Sequence, residues 1–391
     1  MTPAARLQAA IEILDQVIEA AREEGAPADA LVSRYFKSRR YAGAKDRRAV
    51  RELVYRAVRR TGERPESGRA ALLGLAQDDR SLLGLFGEPR GPDPVVDGEP
   101  ASSQTIVPQW LVPELSPLVG PHEWPALVER APLDLRVNVA RASREALLPA
   151  FAGSQPTPLS PWGLRLPTET RVDDRQEFAE GLVEVQDEGS QLIALACDPQ
   201  PRQLIIDLCA GAGGKSLALA AAAPSARIVA SDTNRARLSN LTPRAERAGA
   251  TIETRLLDPG RELDQLAEFR ERAHVVLVDA PCSGSGTWRR NPESRWRLTP
   301  ERLSRLVDLQ GRLLSIAGEL VRPSGSLVYA TCSLLHREGA GQVAQFLGSR
   351  SGWSAQDILG HVGRSDGGGR LITPAHDQTD GFFIARFSKP C

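Results

Sequence analysis

From Glu184 onward the chain alternates short apolar strands with helical periodicity, and that alternation permits few folds. The strands read as Leu204-Ile-Ile-Asp-Leu208, Ile228-Val-Ala-Ser231, His274-Val-Val-Leu-Val278 and Ser326-Leu-Val-Tyr-Ala330. A long helix through Leu303, Leu306, Leu309 and Leu313 precedes the last of them. Phe382-Phe-Ile-Ala-Arg-Phe387 is expected to close the chain as an edge or near-edge strand. Continuous apolar runs joined by helices predict a mostly parallel sheet covered on both faces. Ligands of such sheets bind beyond the carboxyl ends of the strands. Asp207, Asp232 and Asp279 end strands there, and Asp258 follows the intervening one. One such aspartate is ordinarily a helix cap or turn residue. Four in succession point to a site.

The region before Glu184 has different patterns. Leu7, Ala10, Ile11, Leu14 and Ile18 recur at helical spacing, and Gly25-Ala26-Pro27 interrupts them. A second helix is expected through Leu31, Tyr35 and Phe36. A third, capped by Asp46, carries Val50, Leu53, Val54 and Val58 on one face. Gly84 to Pro100 is rich in Gly, Pro and Asp and reads as a surface linker. Leu133 to Val139 alternates apolar and polar residues, as a half-buried strand does. A helix capped by Ser143 is expected up to Phe151, and Gly163-Leu-Arg-Leu166 is a short strand. The expected layout is a helical region over 1–83, a linker over 84–107, a small α+β module over 108–182 and the α/β domain over 183–391.

Composition narrows the class. An apolar fraction of 41% and a charged fraction of 25% match a globular protein. No apolar run reaches the ~18 residues of a membrane span, and Met1 to Ala10 lacks the pattern of a secretory signal. Five scattered cysteines argue against a disulfide framework and for a reducing, cytoplasmic setting. The formal net charge is zero, yet residues 31–70 carry thirteen Lys or Arg against four Asp or Glu. Such a block needs a solvated face or an anionic partner.

The loop Asp207-Leu-Cys-Ala-Gly-Ala-Gly-Gly-Lys-Ser216 lies between a strand and a helix, where glycines and free N–H groups admit a ligand. Three nucleotide readings compete. A phosphate loop of an NTPase needs a Gly where Cys209 stands, although Gly214-Lys215-Ser216 fits. A dinucleotide fingerprint needs a third Gly where Ser216 stands. S-adenosylmethionine has no pyrophosphate and requires neither. It needs an acid after the second strand for its ribose, met by Asp232, and a polar group near its adenine, met by Asp258. The expected cofactor set is Cys209, Ala210, Gly211, Ala212, Gly213, Gly214, Lys215, Asp232, Asp258 and Asp279.

Two strand ends carry thiols: Asp279-Ala-Pro-Cys-Ser283 and Ala330-Thr-Cys-Ser333. A lone free Cys is ordinarily a small buried hydrophobe. Two Cys-Ser pairs, each just past an apolar strand, converge if the strands are neighbours. The four-ligand spacing of a metal site is absent, so no metal is expected. A thiolate adding to carbon 6 of a pyrimidine activates carbon 5 toward a methyl donor, and a second acid/base group assists release. Lys215 is placed to favour thiol ionisation.

The runs Cys209 to Lys215, Asp279-Ala-Pro-Cys282-Ser283 and Thr331-Cys332-Ser333 resemble the RsmB/Sun family of RNA cytosine-5 methyltransferases. The resemblance covers about residues 108–391. It implies a Rossmann-like class I methyltransferase domain, S-adenosylmethionine as cofactor and RNA as partner, with rRNA ahead of tRNA. It also implies that Cys332 is the nucleophile, that Cys282 assists product release and that Asp279 contacts the cytosine edge. DNA cytosine methyltransferases attack from their Pro-Cys residue, so the residues alone leave the two thiol roles open. Relatives carry Ala-Pro-Gly-Gly-Lys where Gly211-Ala212-Gly213-Gly214-Lys215 stands, which changes loop stiffness. Residues 1–80 look like a shortened NusB-like helical region, and 108–182 resembles the family's small RNA-binding module.

Trp288-Arg-Arg-Asn-Pro-Glu-Ser-Arg-Trp-Arg297 suits RNA, with Arg for phosphate and Trp for stacking, or else a loop whose tryptophans anchor in a core. Gly284 and Gly286 are expected to leave room for an extruded base. The readings carried forward are an RNA cytosine-5 methyltransferase acting as a monomer without a membrane, an NTPase acting on RNA, and a silent rRNA-binding assembly factor.

Overall fold

The computed structural model describes residues 1–23 and 25–391. The chain forms two compact units: one of Met1–Leu115, Gly120–Arg130 and Thr287–Pro300, the other of Ser116–Val119, Ala131–Gly286 and Glu301–Cys391.

The first unit is helical: α1 (Pro3–Arg22), α2 (Ala28–Lys37), α3 (Ala44–Arg60) and α4 (Gly68–Asp78). Pro3 opens α1 and the Thr2 hydroxyl accepts from the Ala5 N–H at 3.1 Å, so the first turn is capped. Leu7, Leu14 and Val17 on its inner face are fully buried. Asp46 does not cap α3. That helix begins after Gly43, and the Asp46 carboxylate inside its first turn accepts from Arg6 Nε at 2.9 Å. Lys37, Arg40, Arg48 and Arg51 rim a cavity of about 880 Å³ whose floor includes Val32 and Phe36.

The segment 288–297 belongs to this core. Trp288 and Arg295 are fully buried, and Trp296 packs among the apolar side chains of the helices. Trp296 Nε1 donates to the Thr61 carbonyl at 2.8 Å, and Arg295 donates to the carbonyls of Val58 (2.6 Å) and Ile106 (2.5 Å). The expected exposed RNA platform is therefore an internal anchor. A buried guanidinium must find acceptors, and these backbone carbonyls supply them.

The second unit holds two sheets. The small one is antiparallel, in the order β2-β3-β1-β4: β1 (Leu133–Val137), β2 (Gln155–Pro156), β3 (Gly163–Leu166) and β4 (Val183–Val185). Its β1 is buried on both faces, not half-buried. Asp134 accepts two hydrogen bonds from Arg165 (2.8 and 2.9 Å) and Arg136 Nε donates to Gln186 (2.7 Å), so the polar face is sealed by pairing. Helices α5 (Arg144–Leu147) and α6 (Gln176–Ala179) flank these strands. Ser143 caps α5 as expected, but Pro149 limits the continuation to a single tight turn.

The large sheet runs β11-β12-β13-β9-β8-β5-β6-β7, with β10 also on β13. Its strands are β5 (Leu204–Asp207), β6 (Arg227–Asp232), β7 (Glu253–Leu256), β8 (Ala273–Asp279), β9 (Val321–Thr331), β10 (Ser354–Gln356), β11 (Arg364–Asp366), β12 (Gly369–Ile372) and β13 (Phe382–Ser388). Helices α7 (Glu188–Ala196), α8 (Gly214–Ala222), α9 (Arg235–Leu238), α10 (Leu241–Ala248), α11 (Glu262–Gln265), α12 (Pro300–Leu320), α13 (Ala340–Ser349) and α14 (Pro374–Asp377) connect them. The five strands from β9 to β7 are parallel, and Ile205, Ile206, Val276 and Leu277 are fully buried among them. Each such side chain contributes about 1.5–3 kcal/mol on burial. The last strand, β13, is not at an edge: it is antiparallel to β9 and carries β12 and β10 on its far side.

Strand order reverses between β5 and β8, because β6 and β7 extend one way and β9 the other. That crevice is where a doubly wound sheet binds its ligand. Register places Asp207 beside Leu277 and Asp279 beside Ala330. The residues just past β8 and β9 are thereby brought together.

Candidate active site

The glycine loop leaves β5 and enters α8. Gly211 and Gly213 take left-handed conformations (φ +56° and +83°) that other residues rarely adopt, which turns the chain sharply. The space a side chain would need is already taken: a Cβ on Gly211 would meet the Arg237 guanidinium, and one on Gly213 would meet Leu241. Gly214, by contrast, has nothing closer than Gln186 at 3.6 Å. Ala210 N–H donates to the Ser231 carbonyl (2.9 Å) and the Ala212 carbonyl accepts from Arg244 (2.6 Å). Cys209 beside them is held as a neutral thiol, because burial and the surrounding carboxylates push it well above the usual range.

Asp232, at the end of β6, accepts from Gly211 N–H and Asn234 N–H, both at 2.7 Å. It shapes the loop and still has lone pairs to offer a ligand hydroxyl. Asp207 accepts from Ser216 Oγ at 2.6 Å, while its other oxygen is buried without a partner. Burial pushes this carboxyl up to about 7, partly offset by the Ser216 bond. Asp258 is exposed and forms a reciprocal pair with Gln265 (2.7 and 2.9 Å). An orphaned buried oxygen, a half-used carboxylate and an open Gly214 fit a ligand that carries ribose hydroxyls and an ammonium group.

Lys215, the second residue of α8, reaches Asp279 Oδ2 at 2.5 Å. Burial disfavours its ammonium, but the charge and hydrogen bond of Asp279, with further help from Asp207 and Cys332, outweigh it and raise the pKa. Lys215 therefore stays charged beside the thiols. Cys282 Sγ and Cys332 Sγ lie 3.3 Å apart, both half-buried. The hydrogen bond to Cys332, followed by burial, pushes the Cys282 thiol well above its usual range.

Gly286 leaves no room for a base. Its α-carbon abuts the backbone of Gly381, where an added Cβ would lie 2.0 Å from the carbonyl oxygen. Gly286 N–H donates to the Cys332 carbonyl (3.0 Å), and its own carbonyl accepts from Gly381 N–H (2.7 Å). The absent side chain lets three loops cross.

Sequence reasoning missed the groups beneath the thiols. Glu338 is fully buried and accepts from Ser283 N–H, Gln310 Nε2 and Ser333 Oγ. Ser283, Ser285 and Ser333 hydroxyls lie 3.1–3.2 Å from one another along three edges. Nothing in Leu334-Leu-His-Arg-Glu338 sets this glutamate apart from a surface charge.

The family described as 16S rRNA methyltransferase RsmB/F matches residues 194–388. Ribosomal RNA small subunit methyltransferase B of Salmonella arizonae is 35% identical over 297 residues, spanning 74% of this chain and 68% of that one. The Pectobacterium atrosepticum protein of the same name is 33% identical over 296 residues, spanning 74% and 67%. Among solved structures, PH0851 shares the fold at a TM-score of 0.77 and 23% identity, covering 100% of this chain and 99% of that one. A methyltransferase homologue from Pyrococcus horikoshii aligns at 0.60 and 27% identity over 68% of this chain and 89% of its own. Fold and loop define a Rossmann-like methyltransferase that uses S-adenosylmethionine. The chain belongs to the RsmB/F family of 16S rRNA methyltransferases. Membership brings S-adenosylmethionine-dependent RNA methylation, which sets aside the NTPase reading.

Among the described residues no helix is long and apolar enough to cross a membrane, and no group of three or more His, Cys, Asp or Glu is arranged to hold a metal.

Proposed function

We propose that the protein methylates carbon 5 of a cytosine in 16S rRNA through a covalent adduct, with Cys332 as the nucleophile. The observation that carries this reading is the 3.3 Å approach of the two thiols, just past β8 and β9, beside the Lys215–Asp279 pair. The assignment of Cys332, rather than Cys282, as nucleophile follows the family resemblance of Thr331-Cys332-Ser333. Lys215 compensates the thiolate charge and holds Asp279, whose second oxygen is the candidate acceptor for the cytosine amino edge.

Cys332 Sγ adds to carbon 6, and the electrons of the 5,6 double bond make carbon 5 nucleophilic. Bound S-adenosylmethionine supplies an electrophilic methyl group. After carbon 5 has gained it, carbon 5 must lose its proton; the C–H electrons restore the double bond and the Cys332 thiolate departs. Cys282 Sγ, 3.3 Å from the Cys332 sulfur, is the group placed to take that proton. Cys282 can release its proton to solvent and accept the one from carbon 5.

The cofactor contacts are proposed to come from Cys209 to Lys215 together with Asp232, Asp258 and Asp279. The basic groove of the helical unit and the small antiparallel sheet are proposed RNA-contact surfaces, in a cytoplasmic monomer. Denaturing gel analysis of single variants with RNA and cofactor tests the mechanism. Cys282→Ala is expected to trap a stable protein–RNA adduct and Cys332→Ala to form none. The reverse pattern exchanges the two roles. Absence of adducts from both, with methyl transfer intact, removes the covalent route.

A further inference from the structure

Glu338 has no assigned part in this reaction, yet it bonds directly to the residue after each thiol and, through Gln310, is linked to the residue before Cys282. Its carboxylate accepts from Ser283 N–H at 2.9 and 3.2 Å, the residue after Cys282. It also accepts from Gln310 Nε2 at 2.9 Å, and the same amide donates to the Pro281 carbonyl at 2.8 Å, the residue before Cys282. Its third partner is Ser333 Oγ at 2.5 Å, the residue after Cys332. The Glu338 carbonyl accepts from Tyr329 Oη at 2.7 Å, which fixes the glutamate to β9. The side chain is fully buried.

A carboxylate buried to this degree is costly unless every lone pair is met. Here the donors come from the β8 loop, α12 and the β9 loop, so satisfying the charge requires all three in place. The two thiols ride on the first and last of these. A single side chain thereby joins two segments fifty residues apart at the point where the sulfurs must face one pyrimidine.

We propose that Glu338 is a positioning residue: it sets the separation of Cys282 and Cys332 for the covalent reaction proposed above, on which this inference rests. It acts through Ser283, Gln310 and Ser333 and touches neither substrate nor cofactor. Gln at this position keeps an acceptor for Ser283 and Gln310 and offers a donor to Ser333, whose own proton can turn to Ser283 or Ser285. Ala leaves all three donors unmet.

Two readouts on the full-length protein test this. The first needs no RNA: the rate at which diamide converts the two thiols to a disulfide, itself reduced to the hydrazine, with the Cys282–Cys332 link identified by peptide mass mapping. The second is steady-state methyl transfer. Glu338→Ala is expected to slow disulfide closure at least about tenfold and to lower kcat about 10- to 100-fold, with the dissociation constant of S-adenosylmethionine unchanged. Glu338→Gln is expected to recover most of both rates. Ser333→Ala, which removes one arm and leaves the others, is expected to produce a smaller loss in the same two readouts. Wild-type closure and turnover in Glu338→Ala or in Ser333→Ala overturn the proposal, as does a Gln variant no better than Ala. The diamide readout separates this inference from the covalent mechanism. If Cys332→Ala still methylates RNA, the mechanism fails, while closure rates in the Glu338 series continue to test the clamp.

Discussion

The glycine loop and the thiol loops occupy neighbouring strand ends but are held together in different ways. At the glycine loop the contacts are short in sequence: Ser216 reaches Asp207 across nine residues, and Gly211 reaches Asp232 across 21. One strand–helix–strand unit suffices to build it. At the thiol loops the sulfurs are separated by 50 residues, and Ser283 and Glu338 by 55. Their geometry exists only once β8 and β9 have paired. The crowding differs as well, since Gly286 is packed against backbone and Gly214 is open. A local nucleotide pocket can thus be read as a unit, whereas the reactive pair is a product of tertiary assembly.

The largest expected effect falls on the crowded side. Gly286→Ala should cost about 1–3 kcal/mol of stability from overpacking and lower methyl transfer about 100-fold as the thiols separate. Denaturant melts and initial rates check this; wild-type activity would show that the loop crossing does not set the thiol geometry.

Asp207 gives a test by pH. The folded protein holds its proton up to about pH 7, whereas the unfolded chain releases it near the ordinary 3.8. Folding therefore binds a proton in this window, and stability drains away as pH rises from about 4 to 7 by on the order of 1 kcal/mol per pH unit. Urea unfolding of Asp207→Asn should lack this slope. Parallel curves for the two proteins would mean the carboxyl is already ionised in the native state.

Asp232→Ala should weaken S-adenosylmethionine binding by about 1–3 kcal/mol, since Gly211 and Asn234 lose their acceptor along with the ligand. Calorimetry measures this, and diamide closure of the thiols should not change. A change in both would erase the independence of the two halves. The smallest effect is expected for Gly214→Ala, whose stability should stay within about 0.5 kcal/mol of wild type because nothing crowds the site.

Much of the large sheet was legible because its strands are continuous apolar runs closed by Asp207, Asp232 and Asp279. Cys282 and Cys332 stood out because each follows such a strand. Other features were misjudged where one local pattern supports two environments. Trp288 to Arg297 has the composition of an RNA platform, yet carbonyls of Thr61, Val58 and Ile106 absorb its donors in a core. Asp134 and Arg136 look like the wet face of a strand, but Arg165 and Gln186 seal them in. Asp46 resembles a cap and instead pairs with Arg6.

The sequence on its own determined a parallel sheet with acids at its strand ends, a glycine turn between β5 and α8, and two thiols at comparable positions. Those features follow from periodicity and local sterics, which act over a few residues. Only the tertiary structure decided that the sulfurs meet at 3.3 Å, that Gly286 lies against Gly381 and that Glu338 lies beneath both thiol loops. The reason is that a buried charge selects its partners from whatever donors the fold brings to it, however far apart they lie in the chain.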